Sequence, residues 1–245
     1  MERGGVEWEV DIIGDPTDLQ MLSEAMGDSD ISILERDGAF VLRSTEFDSL
    51  QDANAIRTRA QEIVISLSGL SRVLLDTHRP IKVGSVMMLR DDGTKNVFIQ
   101  VEPISVRARM RANLSITRAD GTVEHHSPAD PLRNQMEVAG QDPAVAKALR
   151  LRNADVLSWV DLYRIYEVVE GDVGRSHIVA SGWVKDSEIS RFKHTANSVA
   201  ASGDQARHGK ESTQPPKNPM SLSQAKTLID GLLKAWITSK ADRSM

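Results

Sequence analysis

No cysteine occurs in the chain, so disulfides, thiolate zinc sites, iron–sulfur clusters and cysteine nucleophiles are excluded together. No stretch approaches the run of about 18 apolar residues that reads as a membrane span, since Ser, Gly or a charge interrupts every candidate. The first residues, MERGGVEWEVDII, lack the unbroken apolar core of a signal peptide because charges begin at Glu2. A positive excess is also missing. The formal net charge of −5 speaks against a general nucleic-acid binder of histone type, which needs a positive field to displace counterions from phosphates, although a local basic face stays open. These absences together lead to the expectation of a cytoplasmic protein with no membrane partner, no metal and no cofactor.

What is present is ordinary globular usage, with 40% hydrophobic and 27% charged residues in a chain of 245, enough for two domains of usual size. Val6 to Ile13 alternates Val6, Trp8, Val10 and Ile12 with Glu7, Glu9 and Asp11, the period-two pattern of a half-buried strand. Asp15 or Thr17 then caps a short helix carrying Leu19, Leu22 and Met26 and closing at Gly27. Ile31 to Leu34 and Ala39 to Ser44 flank Asp37-Gly38, a strong hairpin signal. From Asp52 to Leu75 the apolar residues follow helical spacing, with Gly69 as a candidate end or bend. Four further strand-like runs follow, Lys82 to Arg90, Asn96 to Glu102, Ser105 to Thr117 and Thr122 to His125. Residues 1–127 thus read as an antiparallel sheet with two helices.

Ser127 to Asp142 collects Pro, Gly, Asp and Asn and separates strand periodicity from helix periodicity, which makes 128–142 a linker and 143–245 a helical domain. Asp142-Pro143 starts a helix running to Val169, with a kink expected near Asn153-Ala154-Asp155. Ser221 and Gln224 form a capping box before a last helix whose apolar stripe runs from Ala225 to Ile237. The fold class is therefore α+β, an N-terminal antiparallel sheet with two helices followed by a C-terminal module of four-helix type.

Chemistry-bearing residues concentrate between Ile189 and Ser212, where Arg191, Lys193, His194, Asn197, Arg207 and His208 fall close together. With Glu188 to Ala200 helical, Arg191 and His194 share a face, and Arg207-His208-Gly209 follows in a loop. An imidazole with an ordinary pKa near 6.5 moves protons at neutral pH, and a guanidinium fork holds phosphate oxygens. RNA cleavage asks for little more, because the 2′-hydroxyl is an internal nucleophile. The same residues also suit a solvated helix face and a helix end.

On these residues the C-terminal part, residues 143–240, resembles the HEPN superfamily, small all-α nucleotide- and RNA-binding domains of prokaryotic defence and toxin systems. The resemblance rests on four helices in about a hundred residues and on Arg191-Phe192-Lys193-His194 and Arg207-His208-Gly209 ahead of a last apolar helix. The family separates its Arg and His by several residues on a helix. Here two residues lie between Arg191 and His194, and Arg207 adjoins His208. The resemblance implies a defence-type accessory protein that binds RNA or nucleotides and cleaves RNA without metal. Arg191 or Arg207 would hold the phosphate and His194 or His208 would act as base.

A second feature is SVRARMRANLSITR, where Arg107, Arg109 and Arg111 alternate with apolar residues and no acid falls between Pro103 and Ala119. Period two puts the three on one strand face, a stripe able to track a nucleic-acid backbone or to receive an acidic partner, and also what a wetted outer face looks like. Lys193 and Asn197 are further candidates for nucleic-acid contact. His125-His126 reads as surface loop, since strand neighbours point to opposite faces. Gly171 to Gly174 reads as a turn. Two other readings use the helical part without chemistry: an interaction module that docks a protein partner or a second copy through Trp159, Tyr163 and Trp236, or a small-molecule sensor.

Overall fold

The computed structural model describes residues 6–27, 29–77, 79–91, 94–98, 114–117, 123–126, 131–203, 206–207 and 214–243. Arg107, Arg109, Arg111 and His208 lie outside the described residues. The chain is α+β and divides into two compact units, Met1–Arg133 and Asn134–Met245.

In the first unit the alternating segment is strand β1, Val6–Ile13, at the centre of a five-stranded antiparallel sheet. Around it lie β2, Ile31–Arg36, β3, Ala39–Ser44, β4, Lys82–Arg90, and β5, Lys95–Phe98, in the order β2-β3-β1-β4-β5. The β2–β3 turn is made by Asp37 and Gly38 at φ 52° and 78°, the left-handed pair that a two-residue hairpin needs. A bulge in the β1–β4 pairing falls between Val10 and Ile12. Gly84 sits beside it, where a Cβ would lie 3.0 Å from the Cβ of Asp11.

Helix α1, Pro16–Met26, is capped by Asp15, which accepts from the Thr17 amide at 3.0 Å. Helix α2, Ala53–Leu74, is capped by Asp52 and runs unbroken through Gly69, which is buried. Both helices bury an apolar stripe, Leu19, Leu22 and Met26 on α1 and Ile56, Ala60, Ile63, Leu67 and Leu70 on α2. Their spacing is what made them legible as helices. A separate hairpin pairs β6, Leu114–Thr117, with β7, Val123–His126, placing His125 opposite Ser115 and His126 opposite Leu114.

Glu9 departs from the alternation. It stands where the pattern puts a solvated side chain, yet it is only 4% exposed. Arg43 compensates the burial, its Nε and Nη2 donating to the same carboxylate oxygen at 2.9 and 2.6 Å, with Arg36 3.6 Å away. A buried carboxylate is tolerated when it is paired and hydrogen-bonded in this way.

The segment read as a linker contains helix α3, Leu132–Gln141. Leu132, Gln135, Met136 and Ala139 are all buried and fall at i, i+3, i+4 and i+7, a helical face that the surrounding Pro and Gly obscured. Helix α4, Pro143–Arg152, then begins on its Asp142 cap, and α5, Trp159–Val173, begins anew on Ser158. Ser158 and Asp161 make a reciprocal capping box, so a full stop and restart replace the expected kink. Gly171 to Val173 is the last turn of α5, closed by Gly174 at φ 79°. Helices α6, Arg175–Ala180, α7, Asp186–Asn197, α8, Val199–Ser202, and α9, Leu222–Ala241, complete the unit. The four-helix reading is thereby subdivided, with five helices of ten residues or more and two short ones among the described residues. No helix among the described residues is long and apolar enough to cross a membrane.

Candidate functional site

Helix α7 carries Arg191, Lys193, His194 and Asn197, and its geometry sorts them. At about 100° per residue, Arg191 and His194 fall about 60° apart whereas Lys193 lies on the far side from Arg191. The apolar residues Ile189, Phe192 and Ala196 are buried, so the polar residues leave the helix along two flanks. Each flank meets a different neighbour.

On the first flank Arg191 and His194 hold the proline-rich segment 214–219. Arg191 Nε donates to the Asn218 carbonyl at 2.7 Å, and its Nη2 donates to the Pro219 carbonyl at 3.0 Å and to Gln224 Oε1 at 3.2 Å. His194 Nε2 donates to the Gln214 carbonyl at 2.7 Å, which requires the proton on that nitrogen because a carbonyl only accepts. Thr195 Oγ1 accepts from the Met220 amide at 3.1 Å and donates to the Arg191 carbonyl at 2.8 Å. The physical reason is in the sequence of the segment, QPPKNPM. Pro215, Pro216 and Pro219 have no N–H and cannot close turns by backbone donation, so their neighbours' carbonyls take donors from α7.

On the second flank Lys193 and Arg207 converge on Tyr163. Arg207 Cζ lies 4.1 Å from the ring centre of Tyr163 and Lys193 Nζ lies 6.0 Å from it and 5.2 Å from the ring of Tyr166. Each cation also faces a carboxylate of α5. Arg207 Nη2 donates to Glu167 Oε1 at 2.7 Å, and Lys193 Nζ stands 3.5 Å from both oxygens of Glu170. Arg207 is fixed from behind by its backbone amide, which donates to the Ala196 carbonyl at 2.8 Å. Below lies an aromatic cluster in which Phe192 contacts Trp159, Tyr163 and Tyr166 at centroid distances of 6.2, 5.8 and 5.9 Å. Burial, together with the hydrogen bond it donates to Glu170 at 2.7 Å, pushes the Tyr166 hydroxyl well above the ordinary phenol range. That group keeps its proton at any physiological pH. Asn197 is half-buried on the same helix, and its Oδ1 is buried without a hydrogen bond from the described residues.

The structure therefore brings Lys193 and Arg207 together and sets Arg191 and His194 apart from them. Arg191 and His194 donate to main-chain carbonyls of 214–219, Arg191 also to Gln224, and Lys193 and Arg207 are opposed by Glu170 and Glu167. Among the described residues His194 is not brought to the same place as Arg207, and His208, the imidazole next to Arg207, lies outside them. Among the described residues no group of three or more His, Asp or Glu is placed to hold a metal ion. The rings assigned to docking are core instead: Trp159, Tyr163 and Trp236 are 4%, 5% and 0% exposed.

Sequence reasoning missed two things. The first is the α5 carboxylates, whose signal was Glu167 and Glu170 one turn beyond Tyr163 and Tyr166 on the same helix. The second is a pair of clamps joining α4 to α9. Arg152, buried at 2% exposure, donates through Nε and Nη2 to the two oxygens of Asp230 at 2.5 and 2.9 Å. Lys240 Nζ bridges Asp142 at 2.6 Å and Asp172 at 2.8 Å, and Trp236 Nε1 donates to Asp172 at 2.8 Å.

Against known proteins, no protein-family model, no curated protein and no solved structure matches this chain, so the likeness to the HEPN superfamily stands on its quoted residues alone.

Proposed function

We propose that the helical unit is a non-catalytic RNA-binding module. The observation that carries this reading is a change of sign along the chain. Residues 1–133 hold 15 Lys and Arg against 22 Asp and Glu, whereas residues 134–245 hold 15 against 13. A net negative protein repels polyanions as a whole, but a segregated cationic unit can neutralise phosphates and gain from counterion release.

In this reading Arg191 and His194 are structural rather than catalytic. A general base must reach the proton it takes, and a phosphate-holding arginine must have donors to offer. Both side chains are engaged with 214–219 through hydrogen bonds to its carbonyls.

The test is fluorescence anisotropy of the full chain with a short labelled single-stranded RNA over a series of salt concentrations, followed by electrophoresis of the same RNA. Binding that weakens steadily with salt while the RNA stays intact is the expected result. Absence of binding at low salt overturns the reading. Cleavage that disappears in His194→Ala would overturn its non-catalytic part.

A further inference from the structure

We infer that the RNA-contacting surface is the clamped α4–α9 pair, through Lys147, Arg150 and Lys234, and that it grips the phosphate backbone without reading sequence. This rests on the RNA-binding reading above and names its surface.

The two clamps define a rigid antiparallel frame. Asp142 to Arg152 on the α4 side and Lys240 to Asp230 on the α9 side each span ten residues, about 15 Å of helix. The frame's acids are consumed by it: Asp230 takes Arg152, and Asp142 and Asp172 share Lys240. Between the clamps neither helix contains an Asp or Glu. What remains there is Lys147 and Arg150 on α4 and Lys234 on α9, all three exposed and none in an ion pair among the described residues. Lys226, also exposed, extends the series beyond the Asp230 clamp on α9. The exposed acids of the adjoining segments, Glu137 on α3, Asp155 after α4 and Asp242 after α9, fall outside the clamped stretch.

This arrangement differs from that of Lys193 and Arg207 in what a ligand has to displace. At Lys193 and Arg207 a phosphate must compete with Glu170 and Glu167. At Lys147, Arg150 and Lys234 no carboxylate among the described residues forms an ion pair with the cation, and a phosphate there displaces counterions whose release favours binding. The helices that carry the cations are already ordered, so little backbone entropy is lost on binding.

The surface chemistry also selects among polyanionic partners. A protein interface is anchored by buried aromatic or large apolar side chains, and among the described residues α4 and α9 expose none. The exposed and half-exposed positions of the clamped stretch include small residues, Ala144, Ala146, Gly231 and Ala235. Base readout by stacking needs an exposed aromatic ring, which this face also lacks. Phosphate contact alone remains, which positions a strand and carries no sequence information.

The experiment compares the full chain with Lys147→Gln/Arg150→Gln/Lys234→Gln and with Lys234→Gln alone, by anisotropy on labelled RNAs of two unrelated sequences over a salt series. The wild type is expected to bind both RNAs alike. The triple variant is expected to bind at least about tenfold more weakly at low salt, with a log–log salt slope shallower by about 2, given about 0.7 per phosphate contact on a single strand. Thermal melts report whether each variant folds, and Lys234→Gln should give an intermediate loss. Equal binding by wild type and triple variant overturns the surface while leaving RNA binding standing. No RNA binding by the wild type removes the underlying reading. Binding of polyglutamate with no binding of RNA overturns the inference in favour of an acidic protein partner.

Discussion

Arg207 lies with its guanidinium carbon 4.1 Å from the centre of the Tyr163 ring while donating to Glu167 at 2.7 Å. The contact joins the chain after α8 to the middle of α5. A cation over an aromatic face contributes about 0.5–1 kcal/mol at a partly exposed site, and a solvent-screened ion pair adds up to about 1 kcal/mol. Arg207→Ala is therefore expected to lower unfolding stability by about 1–2 kcal/mol in urea titrations. Arg207→Lys should restore only part of it, because an ammonium lacks the flat face that stacks on a ring. A double-mutant cycle with Glu167→Gln would separate the ring contact from the ion pair.

The two α7 residues that hold 214–219 give a different signature. Arg191→Ala removes two hydrogen bonds to the segment and one to Gln224, and His194→Ala removes one to the segment, at about 0.5–1.5 kcal/mol net for each bond. Amide exchange should accelerate at residues 217 and 218, and proteolysis should begin there before the rest of the unit is attacked. RNA affinity is expected to stay unchanged in both variants. A large loss of affinity with unaltered exchange would return these residues to a binding role.

The α4–α9 clamp at Arg152 should be the most costly single contact to break. Asp230→Ala leaves a buried guanidinium without its carboxylate, and loss of one partner of such a pair costs about 3–5 kcal/mol. Replacing both residues by apolar side chains of similar size, as in Arg152→Met/Asp230→Leu, is expected to recover most of that stability, since two desolvated charges are then absent. Urea denaturation of the three proteins measures both effects.

The pH dependence of stability should be set at both ends by the second clamp. Burial acts to raise the Asp142 carboxyl, but hydrogen bonds from Lys240 and from the amides of Val145 and Ala144 outweigh it and hold the group below the usual carboxylate range. Burial acts to lower Lys240, and Asp142 and Asp172 outweigh it and raise the ammonium above its ordinary value. A depressed carboxylate contributes stability that is complete above its unfolded pKa and is lost as pH falls through the folded one. A raised ammonium contributes stability that is complete below its unfolded pKa and is lost as pH rises through the folded one. A plateau is expected between the ordinary Asp and Lys values, and Lys240→Met should flatten both limbs of the stability profile. Asp11 adds a contribution of opposite sign. Burial raises its carboxyl against the pull of Lys95 and Ser85, so the charged form is disfavoured in the fold and Asp11→Asn should stabilise the protein at neutral pH.

Much of the architecture was legible because it depends on local periodicity. Trp8, Val10 and Ile12 marked a strand, the spacing from Ile56 to Leu70 marked α2, Asp37-Gly38 marked a hairpin, and Ser221 with Gln224 marked the start of α9. Helix α3 was illegible because Pro131, Gly140 and Pro143 fall around its buried positions, and breakers were weighed above a short face. The restart at Ser158 was encoded by Asp161 three residues on, a capping box read instead as a kink.

The grouping of the polar residues of α7 was only half legible. Spacing on one helix placed Arg191 with His194, but nothing in the linear order said that their partners would be carbonyls of 214–219. Nor did it say that Lys193 and Arg207 would meet over Tyr163.

The sequence by itself determined where most strands and helices form, the overall excess of acid, and the absence of any thiol chemistry, because these depend on composition and on neighbours a few residues apart. Only the tertiary structure decided which charges are spent. Glu9 is paired 34 residues away with Arg43, Arg152 78 residues away with Asp230, and Arg191 27 residues away with the Asn218 carbonyl. Whether a charged side chain is available to a ligand depends on such distant contacts, since burial and pairing are properties of the packed chain and not of the segment that carries the residue.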